Sequence, residues 1–256
     1  LLSLAGLGYP VFISDRCSPV KKFGYLHSAL RKILYPRARG IIAQTQTAGD
    51  IYYRLYRHKN IAVIGNPIKN ILPSQDRERD NIVLMVGRFV DTKNQDKLID
   101  LFLDLDIPAW QLMLVGYDHL KQANSKKLQA IIEERGAQDR IIITGKVSDV
   151  ESCYRRSKIF AFTSTSEGFP NVIGEALSAG LPVVAFDCVA GPSEMIKDNI
   201  NGYLIPVNDY RQFSEKLKAL MLDEDLRRRL GSNAQSAIKN FSVNEIGDKY
   251  LKFIFN

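Results

Sequence analysis

Short, continuously apolar segments that end in glycine recur between helical stretches, and this alternation constrains the fold more than any other feature. The three clearest segments are IVLMVG (82–87), QLMLVG (111–116) and RIIITG (140–145). Apolar runs of this length are typical of strands that helices cover on both faces. The sequence therefore predicts an α/β fold with a Rossmann-like parallel sheet and helices on both faces.

The remaining predicted elements continue this alternation on both sides of a polar segment. Further strands are predicted at 10–15, 40–45, 61–67, 159–164, 181–187 and 202–206. Helices are predicted at 24–34, 46–57, 94–105, 150–156, 172–179, 210–222, 225–239 and 244–255, with a polar helix that ends near 135.

These elements predict two α/β units. Residues 1–70 are predicted to form a partial second α/β domain, and residues 71–81 a linker. Residues 82–238 form the Rossmann-like domain. The helix in 239–256 is expected to pack back on the first domain.

The functional site is expected at the carboxyl edge of the larger sheet, where open parallel sheets bind ligands. Glycine at a strand end lets a ligand approach the backbone. We therefore place the site along the loops that begin at Gly87, Gly116, Gly145 and Ser164.

Two carboxylates seven residues apart, Glu167 and Glu175, flank a strand–loop–helix junction. Gly168 and Pro170 shape the loop, and a helix is predicted to begin near Asn171. Free N–H groups at a helix N-terminus bind phosphate, and carboxylates at such an edge accept paired sugar hydroxyls. From spacing alone, a helix cap and a surface glutamate remain the alternative.

Two further constellations follow strands. Arg88 and Lys93 follow Gly87, where a guanidinium fork and a mobile ammonium suit a diphosphate. Ser193 and Glu194 open a later helix, and an interpretation as capping residues is favoured for them.

Taken in this order, these segments resemble one family of enzymes. VGRFVDTKNQDKLI (86–99), TSEGFPNVIGEALSAGLPVVAFD (165–187) and NGYLIP (201–206) together resemble the carboxyl-terminal donor-binding domain of the retaining glycosyltransferases of family 4, which have the GT-B fold. VIGNPI (63–68) and FDCVAGPSE (186–194) are similar to a subgroup that transfers galactose- or N-acetylhexosamine-type sugars. The resemblance implies an α/β fold of GT-B type with a truncated amino-terminal domain, so residues 1–70 are expected to be the partial acceptor-side domain.

The resemblance also implies residue roles. Arg88 and Lys93 are expected to hold the donor diphosphate, Glu175 the ribose hydroxyls, and Glu167 the donor sugar; Glu167, Arg88 and Lys93 are the expected catalytic residues. The other expected donor-binding residues are Gly87, Lys146, Val147, Gly168, Phe169, Pro170, Asn171, Val172 and Ile173. Lys146 and Val147 are assigned to the base.

The chain departs from the family pattern near its start. The Gly-rich acceptor-side loop is missing, and Gly6 and Gly8 are interpreted as a turn. Arg16 stands where many members carry a histidine that contacts the donor sugar, and it is a candidate acceptor-side residue. His27, His58 and His119 do not fit that position.

Charge is concentrated in the first 60 residues, which hold ten Lys/Arg and two acidic residues, whereas the whole chain has a net charge of +7. Such a stretch favours an anionic partner or forms a solvated basic surface. The predicted helix 24–34 either lies on an anionic membrane or packs within the first domain. Cys17, Cys153 and Cys188 are expected to be reduced thiols, as in a cytoplasmic protein.

The sequence thus predicts a hexosyltransferase that moves a hexose or N-acetylhexosamine from a UDP-sugar to a glycan or lipid-linked acceptor in surface polysaccharide synthesis. No metal, cofactor or nucleic-acid partner is expected; Asp104 and Asp106 are interpreted as a solvated helix end. The expected location is the cytoplasm, with peripheral contact to the inner face of the membrane. A non-catalytic nucleotide-sugar-binding module is the alternative. A dehydrogenase is disfavoured because VGRFVDT (86–92) lacks GxGxxG.

Overall fold

Parallel strands build two sheets in the computed structural model, which describes residues 9–72, 78–119 and 122–255. Within these residues, the smaller sheet has the order β1-β2-β3, with β1 (Phe12–Ser14), β2 (Gly40–Ala43) and β3 (Ile61–Val63). The strands of the larger sheet are β4 (Ile82–Val86), β5 (Gln111–Val115), β6 (Ile141–Gly145), β7 (Ile159–Phe162), β8 (Val183–Phe186) and β9 (Gly202–Ile205).

The larger sheet has the order β6-β5-β4-β7-β8-β9, and every pair of neighbours is parallel. The chain builds outward from β4 through β5 to β6, and then returns to place β7 on the other side of β4. The strand order therefore reverses between β4 and β7, and a crevice opens at the carboxyl ends of such a pair.

Helices cover both sheets. They are α1 (Tyr25–Leu34), α2 (Gln46–Tyr56), α3 (Gln95–Asp104), α4 (Asn124–Glu134), α5 (Val150–Arg156), α6 (Asn171–Ser178), α7 (Pro192–Met195), α8 (Tyr210–Leu222), α9 (Glu224–Ala237) and α10 (Val243–Phe255). Short 3-10 helices lie at Tyr35–Arg37, Asp91–Lys93 and Lys239–Phe241.

The predicted α/β class with a doubly covered parallel sheet is confirmed. Along β4, Val83 and Met85 enter one apolar core, and Ile82 and Leu84 enter the core on the opposite face. Each predicted strand contains an observed one. Helix α9 begins one residue before its predicted start because the side chain of Asp223 accepts a hydrogen bond from the N–H of Leu226.

Helix α10 lies against the smaller sheet. Ile246, Tyr250 and Phe253 pack with Ile42 and Ile64, and the Phe253 ring meets that of Phe12 with centroids 5.5 Å apart. The chain thus passes from the larger sheet back to the smaller one.

The segment between the sheets is partly buried. Ile68 and Ile71 pack in the core around β7 and α6, and the N–H of Ile71 donates to Ser178 Oγ at 2.6 Å. These residues lie within the predicted first domain and linker, so packing of the larger unit extends ahead of β4. Residues 73–77 of the linker and the predicted turn at Gly6 and Gly8 lie outside the described residues.

Candidate functional site

The expected site residues lie at the carboxyl ends of β4 and β7, where the strand order reverses. Gly87 and Arg88 directly follow β4, and Lys93 ends the 3-10 helix of the same loop. Glu167 lies in the loop between β7 and α6. The two loops are joined because the N–H of Thr165 donates to the carbonyl of Thr92 at 2.8 Å.

Lys93 and Glu167 form a direct ion pair between Nζ and Oε1. Their side chains are only 15% and 14% exposed, so little water screens the two charges. The Lys93 stem lies over Gly87, and its Nζ is 5.4 Å from the Phe162 ring centroid. The two charged residues predicted for the diphosphate and the sugar are therefore held together in one partly desolvated position.

Arg88 is exposed and turns toward the loop after β5. Its Nη1 donates to His119 Nδ1 at 2.9 Å, which requires that nitrogen to be unprotonated. The Arg88 carbonyl accepts from Gln95 Nε2, which fixes the backbone of the loop. His119 was not predicted as a site residue, although its position three residues after Gly116 marks the same sheet edge.

Gly116 allows the loops that follow β4 and β5 to pack closely against each other. A Cβ at this position would overlap with the carbonyl oxygen of Gly87. The expectation that this glycine admits a ligand is therefore corrected, because the backbone of the β4 loop occupies the space. At Gly145, with φ of 68°, the position beside the backbone is open.

The loop 167–170 is clamped between both sheets. A Cβ on Gly168 would overlap with the Arg16 carbonyl, and Phe169 packs on Gly65 and on Phe241 at a ring distance of 5.7 Å. Pro170 contacts Gly191, whose φ of 154° suits glycine alone. These contacts position the N-terminus of α6, which no side chain caps.

The first three residues of α6 differ in how deeply their side chains are buried. Asn171 lies at the crevice and Val172 is half-buried, whereas the side chain of Ile173 is fully buried and its N–H donates to Pro170. The expected donor contact of Ile173 is therefore replaced by a packing role.

Glu175 lies one turn into α6 and accepts a hydrogen bond from the Tyr154 hydroxyl at 2.8 Å. Burial raises the pKa of Tyr154 well above its usual value, so the phenol remains a donor. Both residues line a cavity of about 320 Å³, together with Val86 and Ser148. Tyr154 carries no distinguishing signal in the sequence.

Lys146 and Val147 follow β6 at the same edge, beside Ser148. Lys146 is exposed with Nζ 6.0 Å from the Tyr117 ring centroid, and Val147 packs against the core. Both residues thus directly precede Ser148, which lines the same cavity as Glu175.

A polar network joins the two sheets across the crevice. Arg16 Nη2 donates to Asn66 Oδ1 at 2.8 Å, and Asn66 Nδ2 donates to Asn171 Oδ1 at 2.8 Å. Gln44 Nε2 also donates to Asn66 Oδ1. The candidate acceptor-side residue Arg16 is thereby tied to the start of α6. Asn66 was not assigned a role from sequence, although it lies in the singled-out segment VIGNPI (63–68).

The interpretation of Glu194 as a cap of its own helix is wrong. Gly191 precedes α7, and no side chain caps this helix. The carboxylate of Glu194 instead accepts from the N–H of Gln46 at 2.7 Å, at the start of α2. This contact adds a second polar link between the two units.

His27, His58 and Asp104 lie outside this edge and have local partners. His58 Nε2 lies 2.9 Å from the Ala38 carbonyl, and His27 contacts the Phe23 ring. Asp104 pairs with Arg135 at the end of α3. In the part of the chain that the structure describes, His, Cys, Asp and Glu side chains form no cluster suited to a metal ion.

Comparison with known proteins identifies the family. Residues 68–237 match the family described as glycosyl transferases group 1. The chain belongs to this family. The matched range begins in the segment before β4 and includes the candidate site residues from Gly87 to Glu175.

This group 1 glycosyl transferase is similar in sequence to glycosyltransferases from bacteria. It is 31% identical over 228 residues to the amylovoran biosynthesis glycosyltransferase AmsD of Erwinia amylovora, covering 86% of this chain and 62% of the relative. It is 25% identical over 255 residues to a Campylobacter jejuni α-1,4-N-acetyl-D-galactosaminyltransferase named for a diphospho-undecaprenol-linked glycan, covering 97% and 69%.

Solved structures confirm the GT-B type of fold. A Staphylococcus aureus TarM variant in complex with UDP, fondaparinux and α-GlcNAc-glycerol has a TM-score of 0.82 at 26% identity, covering 95% of this chain and 50% of TarM. HepE of Anabaena, in complex with UDP and glucose, has a TM-score of 0.87 at 23% identity, covering 96% and 72%, and this likeness shows the fold. The chain spans half of TarM and about three-fifths of AmsD.

The reactivity of the cysteines tests how this group 1 transferase packs around the Lys93–Glu167 ion pair. Burial and the nearby Glu167 charge raise the pKa of Cys188 to about 12, and burial also raises that of Cys153. Below these values the thiols stay protonated and unreactive. At about pH 8, iodoacetamide is expected to modify exposed Cys17 alone, as measured by mass spectrometry. In urea all three should react, and modification of Cys188 as fast as Cys17 in the folded protein would contradict this packing.

Proposed function

We propose that this chain is the donor-binding part of a retaining glycosyltransferase of family 4. It moves a hexose or N-acetylhexosamine from a UDP-sugar to a glycan or lipid-linked acceptor in surface polysaccharide synthesis. The names of AmsD and the Campylobacter jejuni relative, and the UDP in the TarM complex, support this proposal.

The observation that carries the proposal is the gathering of charge at the reversal of strand order. Lys93 lies over Gly87, where the donor diphosphate would pass, and Arg88 follows Gly87 in the same loop. The uncapped N-terminus of α6 adds a positive dipole end. Together these groups stabilise the negative charge that grows on the diphosphate as the glycosidic bond breaks.

The cavity beside Glu175 suits the nucleoside. The Glu175 carboxylate accepts hydrogen bonds from two ribose hydroxyls. The Tyr154 hydroxyl donates to this carboxylate at 2.8 Å and so fixes its orientation. The loop with Lys146 and Val147 contacts the base. Donor binding in this arrangement relies on side-chain cations and needs no metal ion, so chelation with EDTA is expected to leave the UDP affinity unchanged.

The sugar lies on the side of Glu167. Glu167 orients its hydroxyls, and Arg16, held by Asn66, faces the crevice from the smaller sheet. A donor phosphate oxygen takes the proton of the acceptor hydroxyl while that hydroxyl attacks on the face from which UDP leaves. This route keeps the anomeric configuration, and Arg88→Ala is expected to slow it.

A UDP titration tests the donor site. Glu175→Gln is expected to raise the UDP dissociation constant about tenfold, because hydrogen bonds to a charged carboxylate contribute roughly 1.5–3 kcal/mol. Calorimetry measures the constant, and GDP and ADP test the choice of base. Glu215→Gln removes the same charge from an exposed pair with Arg211 on α8 and should have no effect.

Transfer and donor hydrolysis are then measured with UDP-sugars. UDP binding with turnover supports the transferase, whereas UDP binding without turnover indicates the non-catalytic module. Equal UDP affinity of the Glu175→Gln and unmodified chains contradicts the proposed nucleoside site.

A further inference from the structure

Helix α1 directs an apolar stripe into solvent. Tyr25 and Leu26 are 93% and 72% exposed, and Leu30 and Ile33 are also exposed. At 100° per residue, these four positions fall on one continuous face of the helix. A surface helix normally turns such a face toward the core, so α1 is inverted relative to this pattern.

The inner face of α1 explains the inversion. Arg31 is buried on that face, where its guanidinium pairs with Asp15 and donates to the Tyr56 hydroxyl at 3.1 Å. The guanidinium also lies 4.5 Å from the Phe23 ring centroid. Because this paired charge is anchored beneath the helix, the apolar stripe is held outward.

Positive charge surrounds the stripe. Exposed Lys21 and Lys22 precede the helix, and exposed Lys32 lies at its edge. No aspartate or glutamate occurs between residues 16 and 49. Asp15, the nearest carboxylate before this range, already pairs with Arg31.

We propose that α1 docks the chain on a bilayer that contains anionic phospholipid. The stripe of Tyr25, Leu26, Leu30 and Ile33 enters the headgroup boundary, and the lysines contact the lipid phosphates. A second copy fits this surface less well, because a two-fold contact through α1 would bring two sets of lysines together. This contact is peripheral: none of the helices in residues 9–72, 78–119 and 122–255 is long and apolar enough to cross a membrane.

Vesicle sedimentation of the 256-residue chain tests the proposal. Binding to vesicles of phosphatidylglycerol and phosphatidylcholine is expected, with much weaker binding to phosphatidylcholine alone. High salt should weaken the binding, because it screens the lysine–phosphate contacts. Equal binding to both vesicle types, or no binding to the anionic vesicles at low salt, overturns the proposal.

Two double variants separate the apolar and cationic contributions. Leu26→Gln with Ile33→Gln is expected to lower the vesicle partition coefficient at least about tenfold. Lys21→Gln with Lys22→Gln should lower it and flatten its salt dependence. The matched control, Leu222→Gln with Val243→Gln, changes two exposed apolar residues elsewhere and should bind as the parent does.

The readouts distinguish this proposal from the donor-site proposal. The α1 variants should keep the thermal midpoint and the UDP affinity of the parent, because the changed side chains are exposed and do not line the cavity beside Glu175. Unchanged vesicle binding of the Leu26/Ile33 variant overturns the docking surface, as does a parental dimer in sedimentation velocity that this variant abolishes.

Discussion

Lys93→Met is expected to slow sugar transfer by two to three orders of magnitude. The change removes the ammonium that we propose neutralises charge on the leaving diphosphate, and preorganised groups of this kind contribute about that much to rate. The same change leaves the Glu167 carboxylate, only 14% exposed, without its partner. Removing one member of a buried pair costs about 3 kcal/mol of unfolding free energy. Transfer assays and urea denaturation measure the two effects.

A double variant separates catalysis from stability. Lys93→Met with Glu167→Gln removes both charges, so most of the lost unfolding free energy should return while transfer stays slow. Lys97→Met, which breaks an exposed pair with Asp96, is the matched control and should change neither quantity measurably. Parental transfer by the double variant would show that the Lys93–Glu167 pair is structural alone.

Gly116→Ala is expected to abolish UDP binding and to lower the unfolding free energy by about 3 kcal/mol or more. A Cβ at residue 116 would overlap with the Gly87 carbonyl, and neither backbone can turn aside as a flexible side chain would. The β4 loop must therefore shift, and Arg88 and Lys93 move with it. Calorimetric titration with UDP and urea denaturation measure these losses.

Gly247→Ala is the matched control for this substitution. Gly247 lies within α10 with no atom within 4 Å of the added methyl, so alanine should stabilise the helix by about 1 kcal/mol and leave UDP binding unchanged. A Gly116→Ala chain that keeps parental stability and UDP affinity would contradict the close approach of the two loops.

The order of elements was predictable because it depends on local patterns. Apolar runs such as IVLMVG (82–87) need cover on both faces, and helical spacing follows each of them. The loop after β4 and the glutamates around Asn171 were predicted as one edge because parallel strands of a sheet end on the same side. The roles of Arg88, Lys93, Glu167 and Glu175 came from the family resemblance and stay predictions.

Contacts between distant residues were not predictable. Tyr154 orients Glu175 from a different helix, and Asn66 joins Arg16 to α6 across two sheets. Each contact depends on how separate elements pack. The residues involved are far apart in sequence, so no local pattern in the sequence indicates that they meet. The same reason explains Gly116, whose neighbour is the backbone of another loop.

Hydrophobic period and short motifs are local properties, so the amino-acid sequence was enough to predict the alternation of strands and helices, the family, and the sheet edge at which the candidate site lies. The packed structure was needed to show that Lys93 pairs with Glu167, that Glu194 contacts α2 and that the apolar side of α1 faces solvent. A buried charge needs an oppositely charged partner, and which charges become buried depends on how the whole chain packs.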